Sequence, residues 1–96
     1  MSGEGNQTTG GFRVTGRVQG VGFRWWTRGT AQELGLRGSV RNCADGSVEV
    51  HASGSEEAMN RFERMLQKGP TGSRVHAVRR IEARHDLPAG DFVIES

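Results

Sequence analysis

Two stretches of helical periodicity, set between runs that alternate as strands do, restrict this chain to a sheet with helices packed on it. In the first, apolar or small residues fall at Phe23, Thr27, Ala31 and Leu34, near the helical repeat. Gly35 stands where a left-handed residue ends a helix, and Leu36 supplies the apolar contact that follows. The second opens at Ser55, an N-cap residue, with Glu56 and Glu57 near the positive end of the dipole. Its buried stripe is expected to be Ala58, Met59, Phe62, Met65 and Leu66, and Gly69-Pro70 ends it. Strands are expected at 12–17, 37–43, 47–52 and 74–84, with a short closing strand at Phe92 and Ile94. Ala44-Asp45-Gly46 reads as a hairpin turn. Val75, Val78 and Ile81 do not alternate strictly, which a bulge would reconcile. The order β-α-β-β-α-β with two helices on one face of a mainly antiparallel sheet, plus a C-terminal edge strand, is an α+β ferredoxin-like sandwich.

Ninety-six residues suit one domain, expected at 12–96 behind a flexible, Gly/Thr-rich tail at 1–11. No run approaches the roughly 18 apolar residues of a membrane span, and the N-terminus lacks the basic start and apolar stretch of a secretory signal. A single cysteine, Cys43, excludes an internal disulfide framework. These features lead us to expect a soluble, cytoplasmic, monomeric protein. The net charge of +2 conceals an asymmetry: residues 11–44 hold six arginines against one acid, Glu33. That concentration fits an anion site or a solvated basic face.

The turn after the first strand is the chemically informative place. Gly20 and Gly22 permit backbone conformations that gather N–H groups into an anion nest. The helix that follows adds its unpaired donors, and Arg24 brings a planar fork that matches two phosphate oxygens. Other phosphate loops do not fit. No lysine and Ser/Thr pair follows the glycines, their spacing at Gly16, Gly20 and Gly22 is not GxGxxG, and Cys43 is followed six residues on by Glu49 instead of arginine.

The segment Gly16-Arg17-Val18-Gln19-Gly20-Val21-Gly22-Phe23-Arg24 resembles the first signature of the acylphosphatase family. Leu34-Gly35-Leu36, Gly38, Val40, Asn42, Asp45-Gly46, Gly54 and Gly69-Pro70 continue the likeness, which runs from about Phe12 to Ile94. The resemblance implies hydrolysis of the carboxyl–phosphate anhydride of a small-molecule acyl phosphate, releasing inorganic phosphate, which would also act as a competitive inhibitor. It assigns phosphate binding to Gln19, Gly20, Val21, Gly22, Phe23 and Arg24, and positioning of the attacking water to Asn42. It implies neither metal nor cofactor. The family often ends in Arg-Tyr, whereas here Ile94 leads into Glu95-Ser96.

The remaining residues have plainer readings. Cys43 is a small strand-end residue. His51, His76 and His85 are too scattered to form a ligand motif. Packing accounts for Trp25 and Trp26, with one against the sheet and the other at the mouth of the site. The alternatives are a non-catalytic phosphate-binding module or an RNA reader on the open sheet face. The latter needs exposed strand aromatics, and Phe12 and Phe92 are committed to the core, so no nucleic-acid partner is expected.

Overall fold

The computed structural model describes residues 7–95. Its elements are β1 (Gln7–Arg17), α1 (Phe23–Glu33), β2 (Arg37–Asn42), β3 (Val48–Ser55), α2 (Glu56–Lys68), β4 (Arg74–Ile81) and β5 (Phe92–Glu95). They form one sheet in the order β4-β1-β3-β2-β5. Every pairing is antiparallel except that of β2 with β5. The ferredoxin-like expectation holds, including the C-terminal edge strand.

Alternation along the strands puts Phe12, Val14, Val40, Val48, Val50, Ala52 and Phe92 into the core with Phe23 and Ala31 of α1 and Ala58, Met59, Phe62 and Leu66 of α2. Phe62 stitches the layers together: its ring lies 6.2 Å from both Phe12 and Phe92, edge-on to each, the arrangement aromatic quadrupoles favour. Met65, expected in the buried stripe, is 37% exposed; four residues already fill that face of α2. Local signals set the helix ends. Ser55 Oγ accepts the Ala58 N–H at 3.1 Å. At the end of α1, Leu36 N–H bonds Ala31 O and Gly35 N–H bonds Gln32 O, a Schellman closure.

Tertiary pairing moves three boundaries. Residues 1–6 of the expected tail lie outside the described residues, but residues 7–11 are strand, with Gln7 to Gly11 opposite Ser55 to His51. The glycine there provides space: a Cβ on Gly10 would meet Met59 Cε at 2.8 Å. β3 runs on to Ser55, opposite that extension. β4 stops at Ile81, short of the expected Arg84, because β4 and β5 lie on opposite edges and the chain must cross the sheet between them. The expected bulge is present: Thr15 faces Ala77 but Gly16 faces Val75, which leaves His76 over. Gly16 absorbs the distortion at φ 121°, and any Cβ there would overlap the Arg74 carbonyl oxygen.

The crossover 82–91 lies over the face the helices leave open. Arg84 N–H donates to His51 Nδ1 at 3.2 Å, and Arg37 reaches the carbonyls of Leu87 and Pro88. Beneath it, on the central strand, Glu49 is only 9% exposed. Its neighbours across both flanking strands are arginines: Arg13 bonds Oε2 and Arg41 bonds Oε1, each at 3.1 Å. His51 Nε2 lies 3.2 Å from Oε1. Because Nδ1 accepts from Arg84, the ring proton sits on Nε2 and is donated to Glu49. Burial pushes the Glu49 carboxyl upward, but hydrogen bonds from His51, Arg41 and Arg13 outweigh it and hold the group at about 2. Among the described residues, no helix is long and apolar enough to cross a membrane.

Two stability outcomes are expected. Gly16→Ala costs about 3 kcal/mol, through backbone strain and the carbonyl overlap, read as a lowered urea midpoint. Glu49→Gln costs on the order of 2 kcal/mol at pH 7, since the partly exposed arginines are screened. A carboxyl lowered on folding stabilises fully above its unfolded value of 4.5 and loses that effect as pH falls toward 2. The gap between wild type and Glu49→Gln in urea unfolding therefore narrows from pH 7 to pH 3.

Candidate active site

β1 delivers the chain into the loop 18–22 at one end of the sheet. Val18 is buried and Val21 packs against the core, so the loop is pinned at two points. Between and after these pins, Gly20 and Gly22 have φ 74° and 76°, left-handed values that side chains resist. A Cβ at either would meet nothing within 4 Å; the glycines are needed for backbone shape, not for room. Gly22 is also the N-cap of α1 and puts no side chain over the helix end. The first turn bond of α1 is Trp26 N–H to Gly22 O, and no backbone carbonyl among the described residues accepts from Gly20 through Trp25. These donors, with the positive end of the α1 dipole, make a place for an anion.

The predicted loop residues divide their tasks. Phe23 is buried in the core and offers only its N–H to the loop. Arg24 is half-buried in the first turn, and its Nη1 lies 3.5 Å from Glu95 O on β5, a weak contact that leaves most of its donors uncommitted. Gln19 does more than sequence reasoning assigned to it. Its Nε2 donates to both Cys43 O and Ser47 O at 2.9 Å, using both amide protons. The signal was present: a two-donor amide among small and apolar loop residues. Its acceptors, however, lie on the β2–β3 turn and were not legible.

That tie brings the loop to the end of β2, where Asn42 is the last strand residue, opposite Val48. Asn42 Oδ1 is buried and has no hydrogen-bond partner among the described residues. A buried carbonyl oxygen without a donor costs about 1–3 kcal/mol, and such an orphan marks a place where a ligand donor belongs. The turn beside it is rigid. Asp45 Oδ1 accepts from Ser47 Oγ at 2.6 Å and from Ser47 N–H at 3.0 Å, and these bonds lower the Asp45 carboxyl below its usual range. Cys43, next to Asn42, is reduced and half-buried.

Packing accounts for one of the two tryptophans and not, as expected, for both. Trp26 packs on Phe23 with ring centroids 5.4 Å apart, whereas Trp25 is 67% exposed. A concavity of about 530 Å³ lies past the C-terminal end of α1 and away from the loop. No group of three or more His, Cys, Asp or Glu among the described residues is arranged to hold a metal ion. The central strand of the face an RNA-binding sheet would present is covered by residues 82–91.

The acylphosphatase family model matches residues 11–94, which span the loop, Arg24 and Asn42. An acylphosphatase of Nitratidesulfovibrio vulgaris (strain DP4) is 52% identical over 81 residues, covering 83% of this chain and 81% of that protein. Among solved structures, an acylphosphatase from Coxiella burnetii superposes with a TM-score of 0.85 at 33% identity, covering 99% of each chain. One from Bacillus subtilis gives 0.80 at 33% identity, covering 92% of this chain and 98% of that one. The fold, the loop and the sequence likeness extend over the same residues, and the chain belongs to the acylphosphatase family.

Proposed function

We propose that this chain hydrolyses the mixed anhydride of acyl phosphates to a carboxylate and inorganic phosphate, by direct attack of water at phosphorus. What supports the reading is the Gln19 clamp, which ties an N–H-lined loop to the turn that follows Asn42, whose buried Oδ1 has no partner among the described residues. In this scheme the N–H groups from Gly20 to Arg24 and the Arg24 guanidinium hold the equatorial oxygens of the phosphoryl group. They neutralise charge where it gathers in a loose transition state. Asn42 Oδ1 accepts a hydrogen bond from the attacking water and sets its line of approach.

The bond from phosphorus to the acyl oxygen breaks, and the carboxylate leaves with the electron pair. Carboxylate is a good leaving group, so no general acid is needed. Asn42 is not basic enough to take the proton, which passes to a phosphoryl oxygen. All of the charge stabilisation comes from the loop and Arg24, so the scheme uses no metal. We further propose a monomer acting in the cytoplasm on a small-molecule acyl phosphate.

Hydrolysis of benzoyl phosphate tests the assignment. Arg24→Ala is expected to lose about 3–5 kcal/mol of transition-state stabilisation, and Asn42→Ala to fall roughly 100-fold or more in kcat. Near-normal turnover in either variant would remove that residue from the scheme. Inorganic phosphate is expected to inhibit competitively, and activity abolished by EDTA would overturn the metal-free mechanism. Gln19→Ala leaves both catalytic side chains in place but frees the loop from the 43–47 turn. Its kcat/KM is expected to drop roughly tenfold, without the total loss seen for Arg24→Ala.

A further inference from the structure

The most exposed large apolar side chain among the described residues lies beside the proposed phosphate clamp. Trp25, 67% exposed, directly follows Arg24. It borders a groove of about 270 Å³ between α1 and the edge strand β5, lined by Arg28, Asp91, Phe92, Val93 and Ile94. Two arginines of α1 reach β5 alongside this groove. At the loop end Arg24 Nη1 reaches Glu95 O at 3.5 Å, and one helical turn on Arg28 Nε donates to Phe92 O at 3.1 Å. Trp25 follows the first of these arginines in the sequence and lines the groove with its exposed indole.

We propose that this groove receives the acyl group of the substrate and that Trp25 selects small aromatic or branched apolar acyl phosphates. The proposal rests on the acyl phosphate reading above. A phosphoryl group held by the loop and Arg24 carries its acyl substituent only a few bonds away, and the next residue, Trp25, lines the groove. Its lining joins the Trp25 ring and the aliphatic Val93 and Ile94 to Arg28 and Asp91. Charged groups at the far end are already engaged: the Arg28 guanidinium lies 5.8 Å from the centre of the Trp25 ring and bonds Phe92 O, while Asp91 Oδ1 accepts the Phe92 N–H at 2.7 Å. Arg28 thus props one side of the indole and leaves the rest free to stack. With its cation so occupied and a carboxylate nearby, the groove is poorly suited to an anionic acyl group. Its volume of about 270 Å³ falls just below the roughly 300–1,000 Å³ of drug-sized ligand sites, which suits one ring or a short branched chain.

Steady-state kinetics on acetyl and benzoyl phosphate with wild type, Trp25→Ala, Trp25→Phe and Arg24→Ala test the proposal. Trp25 is exposed, so its variants are expected to fold. Trp25→Ala is expected to raise KM for benzoyl phosphate about five- to tenfold more than KM for acetyl phosphate, and Trp25→Phe to restore most of the difference. An unchanged ratio of kcat/KM between the two substrates in Trp25→Ala overturns the proposal. If Arg24→Ala loses both activities while that ratio stays fixed, the groove assignment alone fails. If wild type hydrolyses neither substrate, or Arg24→Ala keeps both activities, the reading beneath it fails as well.

Discussion

One side-chain amide joins the two halves of the site. Gln19 spends both Nε2 protons on the carbonyls of Cys43 and Ser47, and so fixes the glycine loop against the turn that follows Asn42. Without that tie the loop would be a flexible connection between β1 and α1, held only by Val18 and Val21. Its acceptors sit in a turn braced by the Asp45–Ser47 bonds, and β2 and β3 hold the two ends of that turn. The rigidity of the cradle is thus borrowed from a hairpin elsewhere in the sheet.

The hairpin in turn depends on the central strand. β3 is buried on both sides, under the helices on one and under the 82–91 crossover on the other, so its polar face must be satisfied internally. Glu49 meets that requirement by drawing in Arg13 and Arg41 from the strands beside it and His51 from its own. The same arrangement divides the basic charge of the first half of the chain. Arg13 and Arg41 are consumed structurally, whereas Arg24 makes no ion pair among the described residues and keeps its charge available at the loop.

The fold was largely legible. Helix ends at Ser55 and Gly35-Leu36, the Ala44-Asp45-Gly46 turn and the bulge in β4 follow from residues close to one another in the chain. Legibility failed where distant segments decided the outcome. Gly10 and Gly11 have the composition of a tail but pair with β3, Gly10 under Met59 of α2 and Gly11 against His51, Ile81 and Glu82 on the other face. Met65 has the spacing of a core residue, yet the four residues beside it leave nothing for it to cover. At the site, the loop, Arg24 and Asn42 were readable as a motif. The two hydrogen bonds of Gln19, the contacts of Arg24 and Arg28 with β5, and the unpartnered oxygen of Asn42 were not.

The sequence by itself determined an α+β sandwich, a glycine loop opening a helix, and an arginine in its first turn, because periodicity, caps and turn residues act over a few neighbouring positions. Only the tertiary structure decided which side chains the sheet would consume and which it would leave free. Gln19 meets acceptors 24 and 28 residues away, and Arg24 reaches a carbonyl 71 residues on. Such pairings are set by strand order and register, which bring the ends of β2 and β5 within reach of Gln19 and Arg24 and leave Asn42 Oδ1 without a partner among the described residues.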